Sequence, residues 1–164
     1  MQPGDSLQVI DLEGQQPCEL LALNAQGASA LSDWGLSASA ANTYLRTRLS
    51  EPTLQARRIT QALGKRAIEA NNLPHPALLW GTDSPAGHQQ QWVAEAERLV
   101  LIAAPAEPTA VDRQYRPSEL RVLVTRANPS ALLLPALPEP LAELVDEFTL
   151  RPGTAHSYTV AKGQ

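Results

Sequence analysis

The order of the short apolar segments constrains this chain more than any composition figure does. Residues 6 to 12 ("SLQVIDL") and 18 to 23 ("CELLAL") have the apolar spacing of strands and flank Glu13-Gly14-Gln15-Gln16, where Gly14 supplies a hairpin-like turn. Helical stretches come next. Ser37 or Ser39 is placed to cap a helix running to about Arg48, with Tyr44 and Leu45 on its buried side. Ser50-Glu51-Pro52 starts a second helix, since proline is tolerated in a first turn whose amide has no intrahelical acceptor. Leu54, Ile59, Ala62, Leu63, Ala67 and Ala70 approximate one face of it, while Gly64 either weakens that helix or ends it.

Strand character then returns. "ALLWGTD" follows two prolines that enforce extension, and "RLVLIAA" is apolar on both faces like an interior strand. Between them "TDSPAGHQQQ" reads as a polar loop. Leu120, Val122 and Val124 alternate with Arg121, Leu123 and Thr125, the clearest strand pattern in the chain. Leu141, Leu144, Val145 and Phe148 fall at i, i+3, i+4 and i+7, which predicts a one-sided helix over the sheet, and "EFTLRPGTAHSYTV" predicts a hairpin around Arg151-Pro152-Gly153. Strands, then helices, then strands without regular βαβ alternation predict an α+β fold. Its sheet is mainly antiparallel, a sandwich or partly closed barrel, with two or three covering helices.

A chain of 164 residues fits one domain able to bury a core unaided. Net charge is -4 and the basic residues are scattered, with Arg57-Arg58 and Lys65-Arg66 the nearest approach to a cluster, which argues against a nucleic-acid partner. No apolar run approaches the roughly 20 residues that span a bilayer, and "MQPGDS" lacks the basic and apolar regions of a leader. The expectation is therefore a cytoplasmic protein with no membrane partner. Cys18, as a single cysteine, allows no internal disulfide. Fourteen prolines and few aromatics imply a core of Leu, Val, Ile and Ala with many proline-fixed reversals, and "LLLPALPEPLAEL" reads as a connector. "TAHSYTVAKGQ" stops at the start of a strand pattern. The expected organisation is a domain over residues 1–153, with 154–164 opening a following domain or linker of a longer polypeptide.

Three side chains are candidates for chemistry. Cys18 is a candidate nucleophile or ligand, but a reactive thiolate needs a cation, a helix N-terminus or a metal, and here acidic Glu19 is next in sequence. The alternative is a buried structural cysteine. His88 is a candidate metal ligand with Asp83 or Cys18, although His75, His88 and His156 show none of the short spacings of zinc sites. "GTDSPAGH" could present Asp83 and Ser84 to a ligand, yet Asp, Ser, Pro and Gly are also what a tight surface turn requires. It matches neither a phosphate loop nor a hydrolase elbow. Arg57 and Arg58 fit a solvated helix face.

The opening stretch, "PGDSLQVIDLEGQQPCELLALN", resembles the first strands of urea carboxylase-associated family proteins, with Gly4, Leu7, Val9, Asp11, Gly14 and Gln15 at matching places. "GTDSPAGH" is similar to that family's Asp-Thr/Ser-x-Gly-x-His loop with one more residue between Asp and Gly, and "RPSELRVLVTRANP" and "LPEPLAE" add to the likeness. "YTVAKGQ" looks like the start of a second copy, with Gly163 standing where Gly4 stands. The resemblance implies a link to urea and guanidine nitrogen metabolism, zinc as cofactor, and a place in longer proteins beside a folate-binding aminomethyltransferase module of the glycine-cleavage T type. This chain departs from the family: Cys18-Glu19-Leu20 replaces an acidic residue followed by an aromatic, and no cysteine follows His88. The resemblance therefore implies a degenerate, non-catalytic copy that packs on the following domains of the same polypeptide. Two alternatives remain open: a zinc-dependent carbon-nitrogen hydrolase using His88 with Asp83 or Cys18, and a small-molecule binding module.

Overall fold

The computed structural model describes residues 1–106, 118–127 and 142–158. These form an α+β, sandwich-like fold of two antiparallel four-stranded sheets. The first has the order β4 (His88–Val93), β1 (Ser6–Asp11), β6 (Leu120–Ala127), β7 (Ala142–Leu150). The second has the order β3 (Ala77–Trp80), β2 (Cys18–Leu23), β5 (Leu99–Ala103), β8 (Ala155–Tyr158). Neither sheet closes on itself into a barrel. Two helices, α1 (Tyr44–Ser50) and α2 (Leu54–Gly64), lie between β2 and β3 in sequence. No helix of the described residues is long and apolar enough to cross a membrane.

Burial explains the strand patterns. In β1 and β6 only alternate residues are buried, Leu7, Val9 and Asp11 in one and Leu120, Val122 and Val124 in the other, so the first sheet has one covered face. Every residue of β2 and β5 is buried. Those two strands occupy the centre of the second sheet, with the helices docked over it: α1 is tied to β2 through Glu19, and the Gln55 side chain of α2 donates to the Ala155 carbonyl of β8. A strand covered on both faces has no polar side to show, which is why "RLVLIAA" reads as an unbroken apolar run.

The chain changes sheet between most consecutive strands. β1 and β2 are not the hairpin that the Gly14 turn suggests; they belong to different sheets, and residues 12–17 form the corner between them. The same holds for Arg151-Pro152-Gly153, which carries the chain from β7 in the first sheet to β8 in the second. Ala155–Tyr158, assigned from sequence to a following unit or linker, pairs with β5.

Four further expectations need correction. The helix expected from Leu141, Leu144, Val145 and Phe148 is instead strand β7 over Leu144, Val145 and Phe148, Leu141 lying outside the described residues. Its register with β6 shifts at the Val124/Thr125 step, where Asp146 pairs with Val124 and Leu144 with Thr125. One extra residue in a period-two strand produces spacings of three and four, which mimic a helix. The strand β4 falls where a polar loop was expected, because "HQQQWV" is an edge strand with few apolar residues to reveal alternation. The first helix starts at Tyr44, not near Ser37 or Ser39. Ser39 Oγ accepts a turn bond from Ala41 N instead. Leu54, expected on the buried face of α2, is 66% exposed, whereas Ile59 and Leu63 are buried as expected. Gly64 ends α2, and Thr53 caps its start through Thr53 Oγ1 and Ala56 N at 3.1 Å. Part of the proline-rich connector, residues 132–141, and Gly163 with the repeat it would open lie outside the described residues.

The start of α1 has no local cap; a residue from another layer supplies it. Thr43 makes no side-chain cap bond, and the carboxylate of buried Glu19 accepts from Tyr44 N at 3.1 Å and Leu45 N at 2.7 Å. This satisfies two orphan donors and opposes negative charge to the positive helix end. Glu19→Ala is expected to lower unfolding free energy by about 1–3 kcal/mol in urea denaturation, and Ser39→Ala by less than about 0.5 kcal/mol.

Candidate functional site

Of the residues that carried the sequence resemblance, Asp11, Gly14 and Gln15 meet Ser84 at one end of the sandwich, where the chain crosses between sheets. Asp11 is the last residue of β1 and is fully buried. Its Oδ1 accepts from Gly14 N at 2.9 Å and Ser118 Oγ at 3.1 Å; its Oδ2 accepts from Gln16 N at 3.1 Å and Ser84 Oγ at 2.5 Å. Two of these donors lie in the β1–β2 corner, one in the β3–β4 corner, and one just before β6. Gln15 N also donates to Ser84 O at 2.8 Å and lies 3.1 Å from Ser84 Oγ. Gln16 continues the tie: its O accepts from Trp80 Nε1 at 2.6 Å and its Nε2 donates to Pro105 O at 2.9 Å.

The tight turn that brings these donors around one carboxylate needs glycine. Gly14 has φ +85°, and a Cβ there would stand 2.7 Å from Ala86 N and 2.8 Å from Ser84 O, both rigid backbone atoms. The sequence pattern Asp-x-x-Gly was therefore the readable signal for an aspartate folding the following turn onto itself. The Ser118 contribution had no comparable signal, since that residue lies more than a hundred positions away.

The three chemical candidates do not assemble. Cys18 has no exposed surface; burial above all, then Asp11 and Glu19, pushes its thiol well above the ordinary range. A thiol so held is protonated and not nucleophilic. Asp83 is exposed on the loop, while its neighbour Ser84 is buried in the Asp11 tie. His88 opens β4 directly opposite Asp11, yet the two side chains form no hydrogen bond. Its ring meets the edge of Trp80, centroids 5.1 Å apart at 69°. Among the described residues no three His, Cys, Asp or Glu side chains converge as ion ligands, so the donor set does not fit zinc.

A concave site lies elsewhere, between α1 and residues 70–72. It encloses about 290 Å³ and is lined by Arg46, Thr47, Leu49, Ser50, Ala70 and Asn71. None of these was singled out from sequence as a binding group, since single polar residues on a short helix carry no pattern. Arg57 and Arg58 on α2 are exposed and form no ion pair among the described residues, as expected of a solvated face.

No protein-family model matches the chain, and no solved structure does. The chain is 28% identical over 166 aligned positions to the trimethylamine-oxide aldolase of Ruegeria pomeroyi. That alignment takes in 99% of this chain and 20% of the relative, so the chain spans about a fifth of the length of the curated protein it matches. A match to the urea carboxylase-associated family is not found.

Asp11→Asn is expected to cost on the order of 3 kcal/mol in denaturant unfolding, because an amide NH2 would face donors where the carboxylate accepts four bonds. Native Cys18 is expected to resist a thiol-specific disulfide reagent at pH 8 and to react fully once the chain is unfolded. Its thiol stays protonated in the fold but ionises in the unfolded chain near pH 9, so its stabilising contribution is complete below about pH 9 and falls as pH rises further. Cys18→Ala is expected to flatten that alkaline decline, measured as melting temperature against pH.

Proposed function

We propose that this chain is a non-catalytic structural domain of a longer protein, of the aminomethyltransferase-like kind, related to trimethylamine-oxide aldolase. The observation that carries the reading is the shape of the match: all but the whole of this chain aligns with a fifth of that enzyme, leaving most of the relative's length for chemistry outside the aligned region. The state of the candidate residues supports it. Cys18 is sealed in the core, the Ser84 hydroxyl is spent on Asp11, and His88 packs on an indole.

In this role the domain offers a rigid body to the following parts of the polypeptide, in the cytoplasm, and serves one-carbon or nitrogen metabolism through them. The polar groups of Asp11, Ser84 and Ser118 are committed to holding the sandwich corner and not to a reaction. The competing reading is a zinc-dependent hydrolase of urea or guanidine derivatives built on His88.

The test is zinc content and turnover of the purified chain, alone and with added zinc. The expected result is well under one zinc per chain and no cleavage of trimethylamine oxide, urea or guanidine compounds. Near-stoichiometric zinc that is lost in His88→Ala, together with turnover of any of these compounds, overturns the structural reading in favour of the hydrolase.

A further inference from the structure

The concavity beside α1 has a chemistry of its own and shares no residue with the Asp11 corner. Arg46 lines it and has no ion-pair partner among the described residues. Its Nη1 lies 3.4 Å from both ring nitrogens of His75. Equal distances to the two nitrogens place it against the imidazole face, because an in-plane approach would collide with the carbon between them. The contact thus directs one Nη1 N–H at the His75 ring and orients the guanidinium, while Nε and Nη2 bond no other described residue. A half-buried, oriented cation without a counter-ion is costly unless something negative approaches it.

The surrounding groups match that need. Thr47 Oγ1 and the Asn71 carboxamide line the same cavity and bond no other described residue, so both are free to donate. Leu49 and Ala70 give it an apolar wall. The local charge balance also favours an anion. Residues 44–72, which span both walls, carry six of the thirteen basic side chains against two acidic ones, Glu51 and Glu69, in a protein of net charge -4. Of those six, Arg48 and Arg66 are paired with Glu51 and Glu97.

We infer that this cavity binds a compact oxyanion-bearing ligand, a carboxylate or phosphate group seated on the Arg46 guanidinium with Thr47 and Asn71 donating beside it. At about 290 Å³ the cavity stands at the lower end of ligand sites, which leaves room for a small metabolite. A planar guanidinium is suited to two parallel bonds with either anion. The inference does not depend on the domain's place in a longer protein.

The test is calorimetric titration of the protein with inorganic phosphate and, separately, with succinate, at low ionic strength and with chloride as control. Saturable one-site binding of at least one anion is expected, and which of them binds distinguishes a phosphate from a carboxylate ligand. Arg46→Gln is expected to weaken it about tenfold or more, and Arg46→Lys by less, since the charge survives and the fork does not. The double variant Arg57→Gln with Arg58→Gln removes two charges outside the cavity and is expected to change affinity less than about twofold. If the Arg46 variants fail to fold, Asn71→Asp serves in their place and is expected to abolish binding by placing a negative charge at the rim. Absence of saturable binding by both anions, or an equal loss in the Arg57/Arg58 variant, overturns the inference.

Discussion

One carboxylate fastens the two sheets together. Asp11 accepts four hydrogen bonds from donors in three separate stretches of chain, and Gln16 adds a link to the end of β5. Each stretch is a place where the backbone leaves one sheet for the other or begins a new strand, and each would otherwise bury unpaired polar groups. A buried negative charge is tolerable only when its lone pairs are filled, and here they are filled by the turns that need fixing. The same atoms that make this corner rigid are thereby withdrawn from chemistry. Ser84 is the clearest case, since its hydroxyl is bonded to Asp11 and lies against Gln15 N.

A second carboxylate works at the other interface. Glu19 projects from the central strand β2 and closes the open end of α1, so the helical layer is registered to the sheet by a charged bond and not by apolar contact alone. Two buried acids, Asp11 and Glu19, bracket Cys18 in the sequence, which helps explain why the thiol is held so firmly protonated. Layer order follows from these contacts: first sheet, second sheet, helices, with the fully buried strands β2 and β5 in the middle.

The sequence made the fold class readable where side chains report burial directly. The alternation of Leu120, Val122 and Val124 and the unbroken run in β5 appear in the structure at their expected places, whereas the helix face drawn through Ala67 and Ala70 stops at Gly64, the alternative the glycine left open. It misled where one residue changed the phase, as in β7, and where an edge strand carried glutamines. The sheet exchange at both glycine turns was invisible, because a corner between sheets and a hairpin use the same turn residues. At the site, Asp11 and Gly14 stood out in a pattern, but the ring of donors came from sequence-distant residues, and a cavity built from single polar residues of α1 left no periodic trace.

The placement of β1 bears on how the protein is made. This first strand sits between β4 and β6, so one of its edges finds a partner only when residues beyond Leu120 exist. On a ribosome, β1 therefore emerges well before β4 and β6 and waits with open backbone edges, a state prone to misassociation. The first sheet is consequently complete only once β7 has been made, well after β1.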